Sequence, residues 1–373
     1  MSNRYQGGFI TASYNGLKAP DAPTIGTATG GNAFASVTFT APTNVGGGAI
    51  TGYTVISSPG SITGTGSASP ITVSGLTNGT AYTFTVVATN AYGTGPTSAA
   101  SNSVTPANNS PSTVEYLVVA GGGAGGFDNG GGGGAGGYLT STIAVTSGTT
   151  DTVTVGAGGP NVSAGYGTNG SNSVYKSVTA TGGGGGAVGD NNVGASGGSG
   201  GGGSGGGAGG AGGAGVSGQG NAGGAADVLN ISGGGGGGAG GAGVSGATTS
   251  NGGVGLQNAI TQTSTYYAGG GGGTRRTTSP GVGGLGGGGN GAQGVTSGVP
   301  AGSGTANTGG GGGGGPGVAG VTPNTAGNGG SGVVIISYAD TFDAAASTTG
   351  SPTITTVGGK RIYQFTSSGS ITW

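Results

Sequence analysis

The feature that most constrains this chain is a glycine-rich block that spans residues 121–332. The block begins directly after one apolar run, VEYLVVA at 114–120, and ends in another, VVIISY at 333–338. Runs of glycine are poor helix formers, because glycine loses more backbone freedom on folding than any other residue. Collagen is excluded, because the glycines follow no strict three-residue repeat and the chain has only 14 prolines.

Three arrangements are open to such a block. It can be a flexible linker, a set of irregular loops on a β framework, or a bundle of polyglycine II helices that bond to one another laterally. Polyglycine II has three residues per turn and no internal hydrogen bonds. The sequence GGAGGAGGAG at 206–215 favours it, because one small side chain in three would line one edge of each helix. We predict an all-β chain in which polyglycine II helices project from a jelly-roll-like framework.

Composition excludes several classes of function. Only 4% of the residues are charged and the formal net charge is −1, so the sequence predicts no basic surface for nucleic acid. It contains no cysteine and no histidine, which removes thiolate metal sites and the most common general base. The eight acidic residues are scattered. We therefore predict a non-enzymatic protein with no catalytic residue, no metal site and no cofactor.

The first 19 residues form a short arm that is too small to fold by itself. The arm either caps the next domain or anchors the chain in a partner protein. No signal-peptide core and no run of 18 apolar residues occurs, so we predict no membrane insertion. The candidate anchor residues are the apolar ones: Tyr5, Phe9, Ile10, Tyr14 and Leu17.

Residues 20–106 have the pattern of a β-sandwich, with short alternating runs between turn signals. The segment resembles a fibronectin type III domain, most specifically in LTNGTAYTFTV at 76–86. The resemblance implies that Tyr82 is the corner tyrosine, which bonds to upstream backbone, and that Phe39 replaces the family's usual tryptophan. It also implies a rigid spacer. A polar linker follows at 107–113.

The remaining residues, 114–373, form one predicted unit in which strands frame the glycine block. Its flanks read EYLVVAGGGAGG at 115–126, GGSGVVIISY at 329–338 and GKRIYQFTSSGSITW at 359–373. They resemble the glycine-rich domain of phage tail-fibre and other virion proteins, many of which also carry fibronectin type III domains. More distant similarities are to the distal adhesins of T-even-like phages and to the glycine-rich region of the anaplastic lymphoma kinase receptor family. Both contain polyglycine II helices.

Alternation and turn signals also locate individual strands. They are predicted at 36–40, 50–56, 71–73, 81–88, 101–104, 114–120, 138–145, 152–155, 173–179, 333–338, 353–357, 360–366 and 370–373.

The best candidates for recognition are aromatic and arginine side chains within the block, because these residue types are enriched at binding hot spots. Tyr266 and Tyr267 precede the glycine run 269–273, and Arg275 and Arg276 follow it. They form one patch if they leave the bundle at the same end, and they lie at opposite ends if the run crosses it. The alternative is that the tyrosines pack against the framework. Weaker candidates are Phe127 and Tyr166.

Oxygen ligands for Ca²⁺ are available at 128–129 and 190–192, although solvated turns are the simpler interpretation.

The predicted function is that of a phage virion surface protein, either a tail fibre or a receptor-binding component that contacts a host surface glycan. The arm at 1–19 would bind other virion proteins. A homo-oligomer is expected, with a trimer as the usual state of fibres. The alternatives are a capsid or tail decoration protein without a specific ligand, and a subunit of a self-assembling filament.

Overall fold

The computed structural model describes residues 17–161, 165–229, 231–276, 279–293, 299–317 and 325–373. The regular elements among these residues are all β-strands in antiparallel sheets, so the predicted all-β class is confirmed. Two compact units divide the chain, Met1–Asn109 and Ser110–Trp373. None of the described segments forms a helix of the length and hydropathy needed to cross a membrane.

The first unit is a sandwich of two antiparallel sheets. Its strands are β1 (Thr24–Gly31), β2 (Phe34–Thr40), β3 (Ile50–Ser58), β4 (Thr63–Gly66), β5 (Ile71–Ser74), β6 (Thr83–Asn90) and β7 (Gly93–Thr94). One sheet has the order β1-β2-β5 and the other has the order β4-β3-β6-β7. The inward residues of both sheets alternate with exposed ones, which is the pattern of a two-layer β fold.

The core of this sandwich contains the two aromatic residues that the sequence singled out. Phe39 packs against Tyr53, with ring centroids 4.7 Å apart. The hydroxyl of Tyr82 accepts a hydrogen bond from the backbone N–H of Thr77 at 3.1 Å, and Tyr82 is 4% exposed. Tyr82 therefore bonds to the backbone just upstream of itself, as a corner tyrosine does.

The described residues of the second unit form twelve strands. They are β8 (Thr113–Val119), β9 (Tyr138–Ala144), β10 (Thr150–Thr154), β11 (Ser173–Tyr175), β12 (Val178–Ala180), β13 (Leu256–Asn258), β14 (Thr265–Tyr267), β15 (Val333–Ala339), β16 (Ser347–Thr349), β17 (Thr353–Val357), β18 (Lys360–Phe365) and β19 (Gly369–Thr372). A central sheet has the order β17-β18-β15-β8-β9, a second has the order β12-β11-β10-β19-β16, and β13 pairs with β14 as a hairpin.

The central sheet is covered on both faces. On one face Val118 and Ile336 belong to a core cluster with Trp373 and other side chains of the second sheet. On the other face Leu117 belongs to a cluster that includes Tyr267 of the β13–β14 hairpin. Strands β8 and β15 are therefore buried on both sides, which explains why their sequences are almost continuously apolar.

The glycine segments continue these strands without a change of register. In the sheet, Val119 of β8 lies opposite Tyr138 of β9. Beyond the sheet, backbone hydrogen bonds keep the same register in three further pairs: Ala120 with Gly137, Gly123 with Gly134 and Gly126 with Gly131. The block is thus an extension of the framework and not a set of loops inserted into it.

Inside the block, the order of hydrogen-bond partners repeats every three residues. In segment 131–137 the first, fourth and seventh residues donate their N–H to segment 181–187. The second and fifth donate to 234–237, and the third and sixth donate to 309–312. A repeat of three with three lateral neighbours is what polyglycine II requires, whereas a strand has a repeat of two. Polyglycine II itself stays a prediction.

Neighbouring segments approach so closely that a side chain would not fit between them. A Cβ atom at Gly133 would lie 2.1 Å from the carbonyl oxygen of Gly123, and one at Gly131 would lie 2.0 Å from that of Gly202. Both glycines are buried. Each carbonyl oxygen thus occupies the space that a side chain would need.

The segments run back and forth between two ends of the block. The basal end is the one at the sheets, where segment 131–137 enters β9. The apical end is the opposite one, where the chain turns at 127–130 between two paired segments.

Several strands predicted from the sequence differ in the structure. The predicted strand 173–179 is the hairpin β11–β12, with Lys176 in its turn at φ 54°. The predicted strand 101–104 forms only an isolated bridge between Val104 and Tyr82. Patterning missed β1, β4, β7, β13, β14 and β16, which are short or rich in glycine, threonine and polar residues and so lack a clear alternation.

Replacing Gly133 by alanine should destabilise the second unit by about 3 kcal/mol or more, because backbone atoms, which cannot rotate away, surround the new methyl group. Gly241→Ala is the matched control, because the nearest atom to its Cβ is a valine methyl group at 3.3 Å. Thermal unfolding followed by circular dichroism measures both. Equal melting temperatures for the two variants would contradict the close packing.

Tyr82→Phe should cost about 1–3 kcal/mol in the first unit, because it leaves the Thr77 N–H without its acceptor. Chemical unfolding of the full chain, followed by a probe in the first unit, gives the value. Tyr92→Phe, at an exposed tyrosine of the same unit, should change it by less than about 0.5 kcal/mol.

Candidate functional site

The charged residues of the glycine-rich block are sorted by position. Two of them, Asp151 and Lys176, lie in the framework and form an ion pair with 2.9 Å between Nζ and Oδ1. The other five lie in turns at the apical end: Asp128, Asp190, Asp227, Arg275 and Arg276. The interior of the block carries no charge, because a buried charge without a partner is costly.

We call the described residues of these turns and of the neighbouring turns the apical surface. It consists of 127–130, 165–166, 188–193, 206–209, 227–229, 231–232, 245–250 and 275–276.

Backbone hydrogen bonds join these turns to one another. The N–H of Gly189 donates to the carbonyl of Asp128 at 2.9 Å, and the N–H of Gly205 donates to that of Asn129 at 3.0 Å. Asp128 and Asn129 both have φ 54°, a left-handed conformation that asparagine and aspartate tolerate better than most residues. The turn at 127–130 therefore serves as the hub on which its neighbours are fixed.

Asp128 is the electrostatic centre of the hub. Desolvation raises the pKa of its carboxyl group, and the nearby charge of Asp190 raises this pKa further. Arg276 has the opposite effect and lowers the pKa of Asp128. The three side chains are thus close enough to interact, although they come from three different turns.

A second group of turns displays aliphatic side chains. The Oδ1 atom of Asn191 accepts hydrogen bonds from the N–H groups of Ala208 and Gly209, which ties two turns together. Next to them, Leu229 is 89% exposed. Val193 is also exposed. The apical surface therefore offers apolar tips beside charged groups.

The structure separates the two halves of the predicted tyrosine and arginine patch. Segment 269–273 crosses the block, so Tyr266 and Tyr267 lie at the basal end. Tyr267 is 5% exposed and packs in the cluster with Leu117, while Tyr266 is 39% exposed on the outer face of its hairpin. Tyr267 therefore packs against the framework, as the alternative interpretation predicted.

Arg275 and Arg276 lie at the apical end and have different partners. The Nη1 atom of Arg275 donates to the carbonyl of Thr248, which ties Arg275 to the neighbouring turn at 245–250. Arg276 is half-buried and interacts with Asp128.

The two weaker candidates, Phe127 and Tyr166, are also apical. The N–H of Phe127 donates to the carbonyl of Gly165 at 3.5 Å, so the two aromatic residues lie in adjacent turns. Tyr166 is 48% exposed, whereas Phe127 is half-buried. Sequence reasoning missed Asp190 and Arg276 as neighbours, because their proximity follows from the turn pairing and not from spacing along the chain.

The predicted anchor residues Tyr5, Phe9, Ile10 and Tyr14 lie outside the described residues. Leu17, the fifth, is described and is 59% exposed. The two stretches considered for Ca²⁺, 128–129 and 190–192, lie in neighbouring turns. Among the described residues, no group of three or more His, Cys, Asp or Glu side chains is arranged to hold a metal ion.

Models of known protein families match most of the sequence. A model of the glycine-rich domain matches residues 96–339. The chain belongs to the glycine-rich domain family. This glycine-rich domain protein also matches a fibronectin type III family model over residues 18–104, which confirms the predicted resemblance of its first domain. Neither match bears on a phage or tail-fibre origin, which stays a prediction.

Solved structures resemble parts of this glycine-rich domain protein. Titin domains A168–A170 share 26% identity at a TM-score of 0.23, over 24% of this chain and 33% of that one. Titin kinase with its flanking domains shares 20% sequence identity at a TM-score of 0.22, over 35% of this chain and 31% of that one. Domains FN1–FN3 of chicken CNTN1 share 16% sequence identity at a TM-score of 0.22, over 37% of this chain and 47% of that one. The chain spans less than half the length of each of these proteins. No curated protein matches.

Removing the charge of Asp190 and removing that of Arg276 should move the pKa of Asp128 in opposite directions. We expect Asp190→Asn to lower it and Arg276→Ala to raise it, because each variant deletes one of the two charges that shift it. Carboxyl chemical shifts followed by NMR through a pH titration measure both. Lys176→Ala, at the basal end, is the control and should leave the pKa unchanged.

The sign of the effect on stability follows from the same shift. Folding raises the pKa of Asp128, so the native state holds more protons than the unfolded state between the two pKa values. The contribution of Asp128 to the free energy of unfolding therefore falls as the pH rises through that window. If the pKa of Asp128 were the same in the Asp190→Asn variant as in the wild-type chain, the proximity of the two turns would be contradicted.

Proposed function

We propose that this chain is a non-enzymatic surface protein of a phage particle, a tail fibre or receptor-binding component that presents its apical surface to the host. The observation that carries the proposal is the placement of charge. All five charged residues of the glycine segments lie in apical turns, on top of a block whose interior is uncharged. Charged and polar groups give an interface its specificity, so the apical surface is where a ligand would be distinguished.

The way the turns are held supports a role in recognition. Each segment below them is bonded to its neighbours through its backbone, as in 131–137, where all seven N–H groups have partners. Hydrogen bonds from Gly189 to Asp128 and from Gly205 to Asn129 then join one turn to the next. A surface that is ordered before binding loses less conformational entropy when it meets its ligand.

The three parts of the chain have separate tasks in this proposal. The arm at 1–19 fixes the chain to other virion proteins, and the fibronectin type III domain is a spacer. The glycine segments adopt polyglycine II conformation and display the apical turns. The support for the conformation is the three-residue repeat of hydrogen-bond partners in segment 131–137. The support for the order of tasks is the order of the segments in the sequence.

The ligand in this proposal is a host surface glycan. The exposed Asn191 supplies its Nδ2 group as a donor, Asp190 and Arg276 supply charged partners for hydroxyl groups, and Tyr166 supplies a half-exposed ring on which a sugar can stack. The tyrosines at the basal end are not part of this site.

A glycan array of microbial cell-surface polysaccharides, probed with the full chain, tests the site. We expect the double variant Asp190→Ala with Arg276→Ala to bind at least about tenfold more weakly, because each lost hydrogen bond to a charged group contributes about 1.5–3 kcal/mol. Tyr266→Ala is the control, since it removes an exposed aromatic residue at the opposite end. Binding that Tyr266→Ala abolishes and the apical variant keeps would overturn the assignment of the site.

The virion location has its own test. Gold-labelled antibodies against the purified chain should decorate the tails of particles released by the producing host. Decoration of the capsid would favour the alternative of a decoration protein. Particles without label, in a lysate that contains the chain, would refute a virion role altogether.

A further inference from the structure

Strand β17 is the outermost strand of the central sheet. It pairs with β18 along its whole length, from Thr353 opposite Gln364 to Val357 opposite Lys360. Among the described residues, no strand pairs with its other edge. All five residues of β17 are exposed, so both of its faces are open to solvent as well. The outward N–H and C=O groups of such an edge form a template for a further strand.

Nothing in β17 blocks that template. Its sequence, TITTV, consists of five β-branched residues, which favour strands, and it contains no charge and no proline. Its register with β18 has no irregularity. Strand β1 of the first unit shows the contrast, because its register shifts between Ile25 and Ala28. The side chain of Asn102 also bonds both the N–H and the carbonyl of Ala28, which protects that edge.

We propose that β17 pairs with β17 of a second copy of this chain, antiparallel and about a two-fold axis at Thr355. In this register Thr353 of one copy faces Val357 of the other, and Ile354 faces Thr356. Every opposing pair then consists of uncharged β-branched side chains, which pack well across a strand pair. The two central sheets become one continuous sheet of ten strands.

The antiparallel orientation is favoured at this edge, because parallel pairing is slightly less stable per residue. Charge does not oppose the contact. The nearest cations, Lys360 and Arg361, lie on β18, one strand in from the edge, opposite Val357 and Thr356, and Lys360 forms an ion pair with Glu115 at 2.8 Å. The β18 strands of the two copies would be three strand spacings apart, roughly 14 Å, which exceeds the Debye length at physiological salt. The second copy is thus the occupant that this edge fits, because a strand of the same sequence supplies uncharged β-branched side chains along its whole length.

The proposal is independent of the proposed host-binding function and changes the expected assembly. A two-fold edge contact is self-complementary and closes at two copies, whereas a three-fold ring needs two different surfaces. We therefore infer a dimer through β17 in place of the trimer that fibres commonly form. The pairing is smaller than a standard interface of roughly 1,600 Å², so the dimer should dissociate on dilution.

A single cysteine reports the axis directly, because the chain has no cysteine of its own. Antiparallel residues that face each other have Cα atoms roughly 4.5–5.5 Å apart, within the range of a disulfide. Under mild oxidation by copper phenanthroline, Thr355→Cys should therefore form a covalent dimer on a non-reducing gel. Thr142→Cys is the control, at an exposed threonine of β9 on the opposite edge of the same sheet.

The register has a separate readout. Thr353→Cys and Val357→Cys should each cross-link poorly alone and efficiently when the two proteins are mixed. Cross-linking of Thr355→Cys at the same low rate as Thr142→Cys would overturn the proposal. Efficient cross-linking of either flanking variant by itself would overturn the register.

Sedimentation velocity over a range of concentrations tests the uncrosslinked protein. The wild-type chain should dimerise as its concentration rises, and Thr355→Lys should raise the dissociation constant roughly fivefold, because it opposes two like charges at the axis. Thr142→Lys, with the same change at the other edge, should leave it unchanged. Circular dichroism verifies that all variants are folded. A wild-type chain that is monomeric or trimeric at every concentration would refute the dimer.

Discussion

The structure depends on the absence of side chains along the inner glycine segments. At Gly131 and Gly133, a carbonyl oxygen of a neighbouring segment lies only 2.0 Å and 2.1 Å from the position that a Cβ atom would take. This approach lets every N–H of segment 131–137 find a partner in one of three surrounding segments. Glycine has the largest conformational entropy to lose on folding, and these hydrogen bonds, shielded from water, are what offsets that loss.

The same constraint decides where other chemistry can be placed. Segment 131–137 accommodates no side chain larger than that of Ala135. Apolar residues collect at the basal end, where the sheets bury Leu117 and Tyr267, and charged residues collect in the apical turns. A neutral block with a charged tip is thus a consequence of how closely the backbones pack.

Much of the framework could be predicted from sequence. The apolar flanks located β8 and β15, and the resemblance seen in LTNGTAYTFTV predicted that Tyr82 bonds to upstream backbone, which in the structure is that of Thr77. Alternation could not reveal the β11–β12 hairpin, because its turn residue, Lys176, looks like a polar strand position. The grouping of Asp128, Asp190 and Arg276 on the apical surface could not be predicted either. Its members lie far apart in the sequence, and only the register of the glycine segments, which no side-chain pattern encodes, brings their turns together.

Residue-resolved amide hydrogen exchange is the most direct test of the account. All seven amides of segment 131–137 should exchange as slowly as those of β8, because each has a backbone partner. In the outer segment 210–216, only the first, fourth and seventh amides donate backbone hydrogen bonds within the described residues, so protection there should recur at every third position. Fast exchange throughout both segments would identify the block as a flexible linker. Protection at every second position would identify it as ordinary sheet, and either result would contradict the threefold packing.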